Sequence, residues 1–127
     1  MKLKNRVVIE AIPALNNLSD VKLPVKTSYV IAKNIRELSK ILEDIEKIKK
    51  QVFDKWVEKD KDGNPISEGN KEGVFKLKKN NEFNKEMNEL LDIENDVNIS
   101  TVTLDDLEGV DLTPGTIMSI DWMIENK

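Results

Sequence analysis

The chain contains no cysteine and no histidine. Disulfides, thiolate nucleophiles and zinc sites of the usual Cys/His type are therefore excluded. So are Ser-His-Asp and Cys-His constellations, and the general base that works most readily near neutral pH is missing. Catalysis by Asp, Glu or Lys remains open, but the expectation is that the protein is not an enzyme and carries no cofactor. Aromatics are scarce, at two Trp, one Tyr and three Phe, so the core must come from Ile, Leu and Val. No run approaches the roughly 18 apolar residues of a membrane span. "MKLKNRVVIEAI" starts basic, but its apolar run is short and Glu10 interrupts it, so it does not read as a signal peptide. A cytoplasmic location is the expectation.

What is present is charge of both signs. Twenty basic and 24 acidic residues give a formal net charge of −4 over 127 residues. That balance carries no clustered basic face for nucleic acid, and it is too lysine-rich for a DNA mimic. The length fits one domain, residues 1–127, with a modest core.

The dominant pattern is "YVIAKNIRELSKILEDIEKIKKQVFDKW". One track of a heptad seam runs Ile31, Leu38, Ile45, Val52; the other runs Ile35, Leu42, Lys49, Trp56. Ile41, Ile48 and Phe53 widen the stripe, which suits packing against more than one neighbour. Lys49 is the one polar intruder, either a register device or a side chain that snorkels to solvent. The spacing predicts a helix over about 25–58, with Pro24 in its first turn and Thr27 or Ser28 as cap. At 1.5 Å per residue it is a rod of about 45–50 Å, too long for a globule this small to bury. Something must lie along it, whether the rest of the chain, a second copy or a partner.

The flanking elements are shorter. "NRVVIEAIPALNNLSDVKL" reads as a helix capped by Asn5, kinked at Pro13, with Val8, Ile12 and Leu15 on one face. "GVFKLKK" predicts a strand over about 74–78. "NNEFNKEMNELLDIEN" predicts a helix over about 81–93, capped by Asn80 or Asn81 and folded back antiparallel on the long one. "DVNISTVTLDDLEGVDL" predicts a strand over about 97–103, with a change of side at Ser100. "TPGTIMSIDWMIEN" predicts a helix over about 114–125, capped by Thr113 with Pro114 in the first helical position. The fold class is α+β and mainly helical: a long helix paired antiparallel with a shorter one, a small two-stranded β element at one end, a C-terminal helix, and both terminal helices on the seam.

Residues 59–73 form the loop between long helix and first strand. Within it, "EKDKDGNPISEG" imitates a calcium loop. With Gly63 at the sixth position, Glu58, Asp60 and Asp62 fall first, third and fifth. The closing bidentate Glu is absent, because the twelfth position falls on Gly69, and Lys59 and Lys61 repel a cation. The stretch is turn chemistry, with Gly63 and Asn64 able to take positive φ. The carboxylates of "LDDLEG" and Asp111 would make a magnesium or general-acid site only if they converged; a capped turn is the simpler reading. Trp56 and Trp122 fit apolar faces, so core is favoured over interface for both.

In order along the chain, "AIPALNNL", "LPVKTSYVIAKNIREL", "EKDKDGNP", "FNKEMNELL" and "IMSIDWMIEN" resemble a family of small phage and prophage proteins of low-GC Gram-positive bacteria. That family has no established activity and offers no catalytic residues to carry over. The resemblance implies expression inside an infected bacterium.

Three functions follow as expectations. The first is a non-enzymatic phage protein that binds and inhibits or redirects a host or defence-system protein. The second is a virion or tail assembly accessory protein that works as an oligomer. The third, ranked last, is a metal-dependent enzyme built on Asp105, Asp106 and Asp111. Partner binding or self-association is expected through the long helix, at Ile41, Ile48, Lys49, Phe53 and Trp56. No nucleic acid, membrane or metal is expected as a partner.

Overall fold

A computed structural model of the chain describes residues 1–68 and 75–125. Its elements in order are β1 (Lys2–Lys4), α1 (Asn5–Ser19), α2 (Val25–Trp56), α3 (Asn80–Leu91), β2 (Glu94–Asp96), β3 (Val102–Thr103), α4 (Pro114–Ile120) and β4 (Ile124–Glu125). The fold is mainly helical α+β, as the periodicity predicts.

Helix α2, with 32 residues, is the spine. At 1.5 Å per residue it is about 48 Å long. Its apolar stripe is met within the chain by two shorter helices. Helix α1 returns antiparallel along its N-terminal half, and α3 lies antiparallel along its C-terminal end. Helix α1 has 15 residues and reaches only about 22 Å. That length decides where the seam is sealed. Ile31, Leu38 and Ile45 are buried; Val52 and Trp56 are half-buried; Lys49 lies beyond α1 and is exposed. Val8, Ala11, Leu15 and Leu18 supply the facing side of the core. The short Ala11 and Ala14 sit among these, so the two helices approach closely.

Several expectations need correction. Asn5 is no cap. It is the first residue of α1 and is buried; its Nδ2 donates to the Leu90 carbonyl at 2.7 Å and its Oδ1 accepts from Asn95 Nδ2 at 2.7 Å. Pro13 lies inside α1 on its exposed side, and the helix continues through it. Neither Thr27 nor Ser28 caps α2, which starts two residues earlier than Thr27; neither Asn80 nor Asn81 caps α3, which already begins at Asn80. Helix α2 stops at Trp56, not Glu58. Val57 turns extended and pairs with Leu77, which buries its apolar side chain.

The β structure also differs. The strand expected at 74–78 is reduced to isolated bridges at Phe75 and Leu77, and Val74 lies outside the described residues. Segments 57–59, 65–67 and 75–77 instead close a ring. Glu58 N donates to the Lys76 carbonyl, Lys76 N to the Ile66 carbonyl, and Ile66 N to the Glu58 carbonyl, at 2.8 to 2.9 Å. Each segment satisfies the other two, so backbone groups of a small element are paired without a sheet. The strand expected over 97–103 is confined to Val102–Thr103, which pairs in parallel with β4, while residues 94–96 pair antiparallel with β1. The cause is Ser100. Its N–H and C=O, which a ladder would need, are taken by the Asn34 side chain. The change of side at Ser100 is present: Val97 before it and Val102 after it are both buried.

The C-terminal helix ends at Ile120 rather than 125. A 3-10 turn, Asp121–Met123, follows, and Ile124 and Glu125 leave to pair with β3. Thr113 caps α4 as expected, accepting from Thr116 N at 3.2 Å, with Pro114 first in the helix. Helix α4 packs chiefly on α1 and not on the seam of α2.

Candidate functional site

The residues singled out from the sequence separate into three places. Ile41 and Ile48 line a small cavity of about 160 Å³ where α1 begins and α3 ends, beside Ile93 and Asn95. Lys49 and Phe53 line a shallow depression of about 290 Å³ with Phe83 of α3. Phe53 also meets Phe75 edge to face, ring centroids 5.5 Å apart. Trp56 belongs to neither. It is half-buried, and its Nε1 donates to Glu86 Oε2 at 2.8 Å while the Lys55 ammonium lies 4.9 Å from its ring centre. Lys55 Nζ reaches the other oxygen of Glu86 at 2.6 Å. The lysine contact, and then the indole N–H, hold the Glu86 carboxyl below the ordinary glutamate range. This trio ties α3 to the end of α2.

Two of the carboxylates weighed as chemistry, Asp60 and Asp106, are used structurally. Asp60 Oδ1 accepts from the amides of Asp62 and Asn64 at 2.9 and 3.0 Å, and Gly63 has φ +82°. That is a side-chain-capped turn; Asn64 does not take positive φ. Asp106 Oδ2 accepts from Thr103 N, and Thr103 Oγ1 accepts from Asp106 N, a reciprocal cap for the turn that buries Leu107. Among the described residues, no three acidic side chains gather as a metal site. Trp122 is half-buried, with its Nε1 donating to the Ser119 carbonyl at 2.9 Å. Among the same residues, no helix is long and apolar enough to cross a membrane.

A larger concavity than either lies at the other end of α2. It is a trough of about 760 Å³ between the last turn of α1 and the N-terminal half of α2. Its apolar surface comes from Leu18, Leu23, Ile31, Ala32 and Ile35, and polar and charged side chains stand around it. The lining runs along α2 from Ser28 to Glu43, about 22 Å at helical rise.

The local sequence explains why it stays open. On α2, Ser28, Ala32 and Ser39 face the trough, and Ser19 faces it from α1. Side chains this short cannot fill the space between two helices. Helix α1 ends at Ser19, and residues 20–24 carry the chain across to α2, so the helical wall stops there. Val21 is a further apolar residue of the lining, and beside the trough stand two large apolar side chains with little cover, Val25 at 86% exposure and Tyr29 at 67%. On α2, Val25, Tyr29 and Ala32 are four and three residues apart, the spacing of a second apolar stripe outside the heptad seam. That spacing was the signal in the sequence; the stronger seam masks it.

No protein-family model, curated protein or solved structure matches the chain.

Proposed function

We propose that the protein acts without catalysis, by binding another protein through the surface of its α1–α2 pair. The observation that carries this reading is the trough with its exposed neighbours Val25 and Tyr29. Contiguous exposed apolar side chains rimmed by polar ones mark an interaction surface. A chain without His or Cys lacks the commonest catalytic side chains, which supports a binding role further. The motif resemblance supports a phage-encoded protein at work in the cytoplasm of an infected bacterium. In that setting the bound protein is a host or defence-system component that is inhibited or redirected.

The test is capture from infected-cell lysate with the tagged wild type and an Ala32→Arg variant side by side. Ala32 is exposed on α2, so arginine is tolerated by the helix and blocks the trough. A host or defence protein held at near-stoichiometric yield by the wild type and lost from the variant supports the reading. Capture of phage structural proteins alone, or capture indifferent to the substitution, overturns it.

A further inference from the structure

The occupant of the trough is constrained by shape and charge together. Two antiparallel helices with an open groove between them present the seat of a third helix. The groove runs about 22 Å, which matches about 15 residues of helix, four turns. A compact ligand pocket would be closed at its ends by side chains; this one follows α2.

Charge decides what kind of helix. Between positions 22 and 40 the chain has Lys22, Lys26, Arg36 and Lys40 against the single acid Glu37, while Lys33 turns away to Ser100 Oγ at 3.5 Å. Arg36 and Lys40 line the trough itself, are exposed, and make no salt bridge among the described residues. Glu43 is the one acid in the lining, at the far end. A second copy seated by two-fold symmetry would bring two such basic stretches against each other, which like-charge repulsion opposes. A helix with carboxylates flanking its apolar face meets Arg36 and Lys40 with opposite charge.

We infer that the trough takes an amphipathic helix of about four turns from a different protein, apolar on one face and acidic at its borders. This rests on the protein-binding reading and deepens it by naming the partner's chemistry. The apolar anchors at i, i+3, i+4 and i+7 lie against Leu23, Ala32 and Ile35, while glutamates or aspartates reach Arg36 and Lys40. Tyr29 and Val25 extend the contact beyond the groove.

The probes are two synthetic 16-residue helical peptides with the same leucine face, one bordered by glutamates and one by lysines. Binding is followed by titration calorimetry and by amide chemical shifts at low salt. The wild type is expected to prefer the acidic peptide by about tenfold, the size of two partly exposed ion pairs. Shifts should centre on residues 28–39. The double variant R36E/K40E changes two exposed positions, leaves the core intact, and is expected to reverse the preference. Equal affinity for the two peptides, no binding of either, or shifts centred outside the trough overturns the inference. So does sedimentation showing that wild type dimerises through this face. These outcomes are separable from the fate of the parent reading. If capture from lysate remains sensitive to Ala32→Arg while the peptides are not told apart, only the acidic-helix occupant is lost. If capture ignores Ala32→Arg, the binding reading itself falls.

Discussion

The side chain of Asn34 and the backbone of Ser100 form a two-pronged pair. Asn34 Nδ2 donates to the Ser100 carbonyl at 2.8 Å, and Asn34 Oδ1 accepts from Ser100 N at 3.0 Å. Asn34 is fully buried, and the Met123 Sδ lies 3.8 Å from the same Nδ2. One amide on the spine thus fixes the segment between β2 and β3, far away in sequence, and interrupts what would otherwise extend as a strand.

Replacing Asn34 by alanine leaves the Ser100 N–H and carbonyl without these partners. The expected loss is about 2–3 kcal/mol, from unpaired polar groups and a small void. Urea unfolding measures it; a loss below about 0.5 kcal/mol would mean that water replaces the amide at no cost. Asn34→Asp sets a buried carboxylate oxygen against the Ser100 carbonyl, and at neutral pH is expected to cost at least as much as alanine.

Leu38 is fully buried at the centre of the seam. Leu38→Ala removes transfer energy and leaves a cavity between helices that cannot collapse, at an expected cost of about 3 kcal/mol. Ile48→Ala, at a position 42% exposed, should cost distinctly less in the same unfolding experiment.

The Glu86 contacts make one pH dependence. Its carboxyl is held below the ordinary value by Lys55 and Trp56, so the folded state favours the ionised form. The resulting stabilisation is present above the ordinary glutamate value and is lost as pH falls through the lower folded value. Wild type and Glu86→Gln should therefore differ in melting temperature at neutral pH and converge in acid. In a Trp122→Phe background, the fluorescence of Trp56 should change over the same acid window. A pH-independent gap between the two melting curves would refute the linkage.

Two threonine and asparagine positions that look alike in the sequence should behave differently. Thr113→Ala removes a cap that accepts from Thr116 N and should cost about 1 kcal/mol. Asn80→Ala, at the first residue of α3 with no capping bond, should change stability by less than about 0.5 kcal/mol.

The glycines offer a further contrast. Gly63 has φ +82° with open space around it, so Gly63→Ala costs only backbone strain, about 1 kcal/mol. Gly115 lies in the first turn of α4, where an added Cβ would sit 3.9 Å from Thr113 Oγ1, an ordinary contact. Gly115→Ala should stabilise by about 0.5 kcal/mol through the unfolded chain. Thermal melts of the pair, in opposite directions, check both.

Periodicity and turn chemistry are local, and by themselves they determined much of this protein. The heptad spacing of Ile31, Leu38 and Ile45 set the long helix and the face it buries. Thr113 with Pro114 set the start of α4, and Asp60 with Gly63 the turn that ends the ring of short segments. Tertiary structure decided whatever depends on which partner a group finds. Asn5 reads as a cap because a helix follows it, yet its amide bonds to Leu90 and Asn95, brought near only when α3 returns. Residues 97–101 read as a strand because they alternate, yet Asn34 takes the backbone of Ser100. The site follows the same division. The seam pointed to Ile41, Ile48, Lys49, Phe53 and Trp56, of which the fold distributes the first four over two small hollows and sets Trp56 against Glu86 and Lys55. The trough exists because the helical wall of α1 stops at Ser19 and because Ser28, Ala32 and Ser39 are too small to close the gap. Helix lengths and the order of packing are global properties, and no spacing within one segment encodes them.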